Sequence, residues 1–276
     1  MCLLMRMHTE GENADEQLKM TNADLALRKE AYDLAQQLFG SQETGGSFAN
    51  QLLDICTRAQ GKDFLIIHNP GGWGHSQLDR CLAWERSILE GISTTIREMG
   101  YSSLLIQYFR TRDSWWERLR DMKEQFRFFA SKATVMAAAL QFITKHINTL
   151  KVILVGVSQG AAFSNAVMQK LGAPCQVFSV ELGFPFQYRP WGRITQRTLA
   201  IDSNGIIPDV LAQGDWKVGI RILLTAPFRW VIYRLQGRPV EFAHCISAPG
   251  HEYDWNYPEI QRQIRGFLET NFAAGK

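Results

Sequence analysis

Cysteine is scarce and scattered. Cys2, Cys56, Cys81, Cys175 and Cys245 are the only five in 276 residues, an odd set with no C-x-x-C pair, which argues against a disulfide framework, a metal site or a redox centre. A reducing, cytoplasmic setting is the expectation, with no cofactor and no metal. An excess of one charge is lacking too. The 30 Lys and Arg are balanced by 27 Asp and Glu scattered in both signs, so the basic stripe of a nucleic-acid footprint is missing. Long hydrophobic runs are absent: Ile222 to Phe228 is bounded by Arg221 and Arg229 and falls well short of the ~20 residues of a spanning helix. The opening MCLLMRMHTEGENADEQ has too short an apolar run for a signal peptide, so export is not expected. No internal repeat or low-complexity linker breaks the chain. What is present is 46% hydrophobic residues over a length that buries one large core.

The order of patterns predicts the architecture. After a polar tail over residues 1 to 21, a helix runs to about Phe39, with Leu27, Ala31, Leu34 and Leu38 at helical spacing. The loop SQETGGS leads to a second helix, striped by Phe48, Leu52, Ile55 and Ala59 and stopped by Gly61. Residues 1–61 are thus expected to form a tail and two helices packed on a main domain, 62–276. From Asp63 on, short apolar runs alternate with amphipathic helices, the pattern of a mostly parallel sheet with helices on both faces. The runs lie at residues 64–68, 104–109, 152–156, 176–182, 198–202 and, less clearly, 242–247. Helices are expected from about Ser76 to Met99, Ser114 to Ala130, Lys132 to Asn148, and from Pro258 onward.

One stretch organises the rest. Lys151 to Gly172 reads strand, tight turn, helix, and Gly156, Ser158 and Gly160 stand in G-x-S-x-G spacing, where a sharp turn lifts a serine hydroxyl out of the sheet. Small residues at 156 and 160 permit the turn, and Ala161 and Ala162 let the helix pack close to its strand. Here the chain resembles the α/β-hydrolase superfamily of serine esterases and lipases, a resemblance that runs from about residue 62 to 272. It implies an α/β-hydrolase-like three-layer fold and an acyl-enzyme mechanism.

A serine hydroxyl is a weak nucleophile until a base takes its proton. Of six histidines, His251 in APGHEYDW lies between the last strand and the last helix, where the superfamily places its catalytic histidine. His8 and His146 are remote from any strand end, and His244 is expected to serve packing. The oxyanion needs two donors. One is expected from the backbone N–H of Gln159, the other from the Gly-rich turn HNPGGWG, with Gly71, Gly72 and Trp73 as candidates; His68, Gly71 and Gly72 resemble the His-Gly turn of lipases. Read as a dinucleotide cradle, the same turn lacks a third glycine near Gln77 and an acid closing the next strand. The triad acid is harder to place. Against the N-D-x-x-P pattern of lipases, Asn204 and Pro208 match, but Gly205 occupies the acid's position. Asp202 at the strand end, Asp209 after the turn and Glu181 on the preceding strand all remain open. Asp202 is favoured, because Asp209 after Pro208 is expected to cap the next helix and so to be committed.

Two segments look like pocket material. GFPFQYRPWGRITQR (183–197) is an aromatic, Arg-rich insertion, and 215–238 alternates large apolar residues with Arg221, Arg229 and Arg234, suited either to core packing or to peripheral membrane contact. The expected function is a serine hydrolase acting on a small-molecule carboxylic ester or thioester, amphiphilic in character, through Ser158, His251 and Asp202. The alternatives are a hydrolase-fold protein that binds without turnover, which a displaced acid would suit, and an acyltransferase. Nucleic acid is not an expected partner, and the oligomeric state is open.

Overall fold

The computed structural model describes residues 22–40, 43–74, 78, 81–111, 115–172, 176–194, 196–214, 216–237 and 248–273. The expected tail and the expected strand over 242–247, with His8, His75, His244, Cys2, Cys175 and Cys245, lie outside the described residues.

Five strands form one all-parallel sheet in the order β2-β1-β3-β4-β5. They are β1 (Phe64–Asn69), β2 (Ser103–Gln107), β3 (Lys151–Val157), β4 (Val177–Leu182) and β5 (Thr198–Ile201). Strand side chains alternate between faces, and each face has its own cover. Leu65, Ile67, Val152 and Leu154 point into a core shared with α1 (Asn22–Phe39), α2 (Glu43–Ala59), α5 (Ala130–His146) and α6 (Gln159–Leu171). Phe64, Ile66, Ile153, Val155, Val180 and Leu182 point the other way, against α3 (Ala83–Glu98) and α9 (Pro258–Phe272). The result is an α/β three-layer fold, as the alternation of runs and stripes predicts. The remaining helices are α4 (Trp115–Phe126), α7 (Val210–Gln213) and α8 (Trp216–Leu235), with a 3-10 turn over Phe186–Trp191.

Two helix starts differ from expectation. Helix α2 begins at Glu43 and takes in the TGGS read as loop; Gly45 sits in contact with Ala35 of α1, so tertiary packing offsets the poor helix propensity of glycine. Helix α3 begins at Ala83 rather than near Ser76.

The strand order matters for function. From β1 the chain crosses to β2 through α3 on one face, then returns to β3 through α5 on the other, so the connections leaving the ends of β1 and β3 part in opposite directions. A crevice at the carboxyl ends of strands where the order reverses is where open α/β sheets hold their ligands. The Gly-rich turn follows β1, and Ser158 follows β3.

Candidate active site

Ser158 closes β3 in a conformation that side chains avoid, with φ 51° and ψ −117°. Such geometry costs on the order of 1–3 kcal/mol and persists only where its surroundings hold it. Three contacts hold it here. The Ser158 N–H donates to the Leu182 carbonyl at 2.8 Å, and the Ser158 carbonyl accepts from the N–H groups of Ala161 and Ala162. A Cβ at 156 would overlap the backbone of Gly160 and Ala161, and a Cβ at 160 would overlap the Asn69 carbonyl. The two glycines of the motif are therefore places where backbone meets backbone, and they press the start of α6 against the turn after β1.

That turn is built around Arg110, a side chain the sequence reading passed over. Its guanidinium is buried and donates to the Pro70 carbonyl at 2.7 Å and to the Gly72 carbonyl at 2.5 Å. Across a trans peptide the N–H points opposite to the carbonyl, so Arg110 turns the Gly71 and Trp73 N–H groups away from itself. The carbonyl of Gly71 instead closes a turn onto the Gly74 N–H, and Thr111 Oγ1 donates to the Trp73 carbonyl at 2.7 Å. Gly72 and Gly74 supply the positive φ values of 55° and 65° that this path requires. Arg110 is itself anchored, since Lys132 donates both to the Arg110 carbonyl and to Asp121, each at 2.6 Å. Burial lowers the Arg110 pKa, with Asp121 the chief opposing charge.

Gln159 opens α6, so its N–H is one of those a helix leaves without an internal partner. Its side chain is tied off by the Tyr188 hydroxyl, which donates to Oε1 at 2.6 Å. His68 of the lipase-like pattern is turned inward, buried, 3.5 Å from Glu85 and 3.4 Å from Gln107.

The imidazole and its acid come from the far side. His251 Nδ1 lies 2.6 Å from Asp209 Oδ2, and the Tyr253 hydroxyl donates to the same oxygen at 2.5 Å. The other oxygen, Oδ1, accepts from the Leu211 and Ala212 N–H groups and caps α7. Burial alone would raise the Asp209 pKa, but the hydrogen bond and charge of His251, the Tyr253 hydroxyl and the Leu211 N–H outweigh it and hold the carboxyl below its ordinary value. An ionised carboxylate only accepts, so Nδ1 carries the proton of this bond, and Nε2 is the nitrogen that Asp209 leaves for other partners. Burial and the Asp209 charge raise the Tyr253 pKa, so the phenol keeps its proton.

Asp202, favoured on sequence, does not reach His251. Its carboxylate is 2.7 Å from Arg193 Nη1 and accepts from the Phe184 N–H at 3.2 Å, while Arg193 Nε also pairs with Glu181 at 3.1 Å. Asp202 and Glu181 together fasten the 183–197 insertion to the sheet. The carboxylate on the imidazole is Asp209, because the Asn204 side chain caps the Ile206 and Ile207 N–H groups, Ser203 pairs with Pro208, and the folded turn delivers residue 209.

The histidine loop is seated just as closely. Gly250, at φ 77°, lies where a Cβ would overlap the Pro208 carbonyl; Trp255 fills the space left by Gly91 of α3 and its N–H donates to Ser87 Oγ at 3.1 Å. Trp84 of α3 packs edge-on to the His251 ring. Gly183, next after the Leu182 that bonds Ser158, would with a Cβ come 2.7 Å from both Asp209 Oδ2 and His251 Cε1. Serine, turn, imidazole and carboxylate thus share one end of the sheet. Among the described residues no group of His, Cys, Asp or Glu could hold a metal ion.

The insertion covers the start of α6. Phe184 and Tyr188 are buried, Phe128 stacks on Trp191, and Arg189 donates to the Ala212 carbonyl of α7. An aromatic wall therefore stands beside Gln159.

No protein-family model matches the chain, and no curated protein matches it in sequence. Among solved structures, Trichoderma reesei cutinase in complex with a C11Y4 phosphonate inhibitor is similar at TM-score 0.39 and 13% identity, over 68% of this chain and 87% of the cutinase.

Proposed function

We propose that the protein is a serine hydrolase of carboxylic esters or thioesters, related to the α/β-hydrolases, which works through an acyl-enzyme with Ser158, His251 and Asp209. The observation that carries this reading is the His251–Asp209 hydrogen bond at 2.6 Å, which occupies Nδ1 and leaves Nε2 for a proton transfer, at the sheet end that also holds the strained Ser158. Ser158 Oγ attacks the substrate carbonyl carbon and its proton passes to His251 Nε2. The carbonyl oxygen, now an oxyanion, accepts from the Gln159 and Trp73 N–H groups; Trp73 is preferred to Gly72 because Arg110 aims its peptide. Collapse breaks the bond to the alcohol or thiol, which takes the proton back from His251, and water repeats the sequence on the acyl-enzyme. The buried phenol of Tyr253 and the capped α7 N–H groups keep Asp209 charged as the imidazolium forms. The exposed ring of Trp191, backed by the buried Phe184 and Tyr188, favours a substrate with an apolar part.

The test is covalent labelling by a fluorophosphonate probe, which reports an activated serine without knowledge of the substrate. The expected result is a single adduct on Ser158, lost in Ser158→Ala and in His251→Ala. Labelling that survives Ser158→Ala would sink the reading.

A further inference from the structure

Helix α8 presents a stripe that a water-facing helix does not usually carry. Lys217, Arg221, Leu224, Phe228, Val231 and Leu235 are spaced four, three, four, three and four apart, which puts them on one face, and all are exposed. The four apolar members are 66, 72, 49 and 83% exposed, with Ile232 beside them at 50%. Small Ala226 is buried, whereas Leu224, Phe228, Val231, Ile232 and Leu235 face out. Cations edge its apolar part: Lys217 and Arg221 lie at one end, and Arg229 and Arg234 fall to either side of it, Arg234 stacked 4.1 Å over the Trp230 ring. There is no Asp or Glu anywhere in α8.

These features point to one kind of occupant. No helix among the described residues is long and apolar enough to cross a membrane, so α8 does not span one. A helix with an apolar stripe edged by arginines lies in the plane of a bilayer, its apolar side chains below the headgroups and its guanidiniums among them. A second copy of this chain fits poorly, because two such faces would bring Arg221, Arg229 and Arg234 against their own kind with no carboxylate between them. We infer that α8 is an interfacial helix that docks the protein on an anionic lipid surface. Its position is apt for an amphiphilic substrate, since α8 follows α7, which Asp209 caps, and Gly214 between them packs on Phe186 of the insertion. Docking itself does not depend on the hydrolase reading, so Ser158→Ala must bind lipid as the wild type does.

The experiment is flotation of the full chain with phosphatidylcholine vesicles, with and without phosphatidylserine. Binding should need phosphatidylserine and weaken with added salt. Arg221→Gln and Arg229→Gln should each weaken it about fivefold. Leu224→Ser with Phe228→Ser should weaken it by at least about tenfold, since each side chain loses its burial in lipid. Circular dichroism and Ser158 labelling should be unchanged in these variants, because every altered group faces water or its edge. Wild-type protein that fails to float with phosphatidylserine vesicles overturns the proposal, as does flotation indifferent to all of these changes. A concentration-dependent dimer abolished by Leu224→Ser with Phe228→Ser, without vesicle binding, would assign the face to a second copy instead.

Discussion

Replacing Asp209 by asparagine separates two tasks that one carboxylate performs. If the amide oxygen keeps the α7 cap, accepting from Leu211 and Ala212, the NH₂ group is left facing His251 and Tyr253. An NH₂ only donates, so Nδ1 must become the acceptor and the ring proton moves to Nε2, the atom that has to be empty. Turning the amide over restores the ring but sets NH₂ against two N–H donors of α7. Either way kcat should fall by roughly 10²- to 10⁴-fold, the range for holding the wrong tautomer. Stability should fall as well. Bonds to a charged acceptor contribute about 1.5–3 kcal/mol against about 1 for neutral ones, which for the two at Oδ2 gives a loss of roughly 2 kcal/mol. The sign with pH follows from the depressed Asp209 pKa: its stabilisation is present above the unfolded value of 3.8 and is lost as pH falls through the folded value. The gap between wild type and variant should therefore be full at neutral pH and close in acid. Turnover of a chromogenic ester, the rate of probe labelling and thermal melts across pH measure all three. Near-normal turnover in folded Asp209→Asn, with a large loss in Asp202→Asn, would refute the reasoning.

Two further outcomes are expected. Arg110→Lys keeps the charge but not the fork, leaving Pro70 or Gly72 without its donor; kcat should drop roughly ten- to a hundredfold with KM little changed, and Arg110→Met should drop it further. Unaltered kcat in folded Arg110→Lys would show that the turn holds itself. Burial pushes the Glu181 carboxyl up to about 7 against the pull of Arg193, so its contribution to stability is present below 4.5 and lost as pH rises through about 7. Glu181→Gln should thus gain in Tm relative to wild type between acid and mildly alkaline pH, and a difference that stays constant with pH would count against it.

Much of the layout was legible because it rests on local pattern. Leu65 and Ile67 against Phe64 and Ile66 already encode a sheet covered on both sides, and Gly156, Ser158 and Gly160 encode a close approach of backbones. The acid was not legible, because capping a helix and orienting a histidine looked like competing duties for Asp209. A carboxylate has two oxygens, and here Oδ1 caps α7 while Oδ2 meets His251 and Tyr253. Arg110 was hidden for a different reason: it follows β2, and its partners follow β1, so only the pairing of the two strands reveals them. Tyr253 lay in view, two residues past His251, but nothing local says that a hydroxyl there meets the same oxygen. The outward face of α8 could be inscribed on a helical wheel, yet which side of the wheel meets water is decided by the rest of the chain.

The contact of Gly160 with Asn69 and Pro70 has a bearing on motion. Side chains between two segments act as a compliant layer that lets one breathe while the other stays shut. None intervenes here, and Asn69, hydrogen-bonded through its own amide to Ser164 at 2.7 Å, is fastened to α6 a turn further on. The first turn of α6 and the loop after β1 must consequently open together or not at all. In amide hydrogen exchange they should behave as one cooperative unit with a common opening free energy, although about ninety residues of chain separate them.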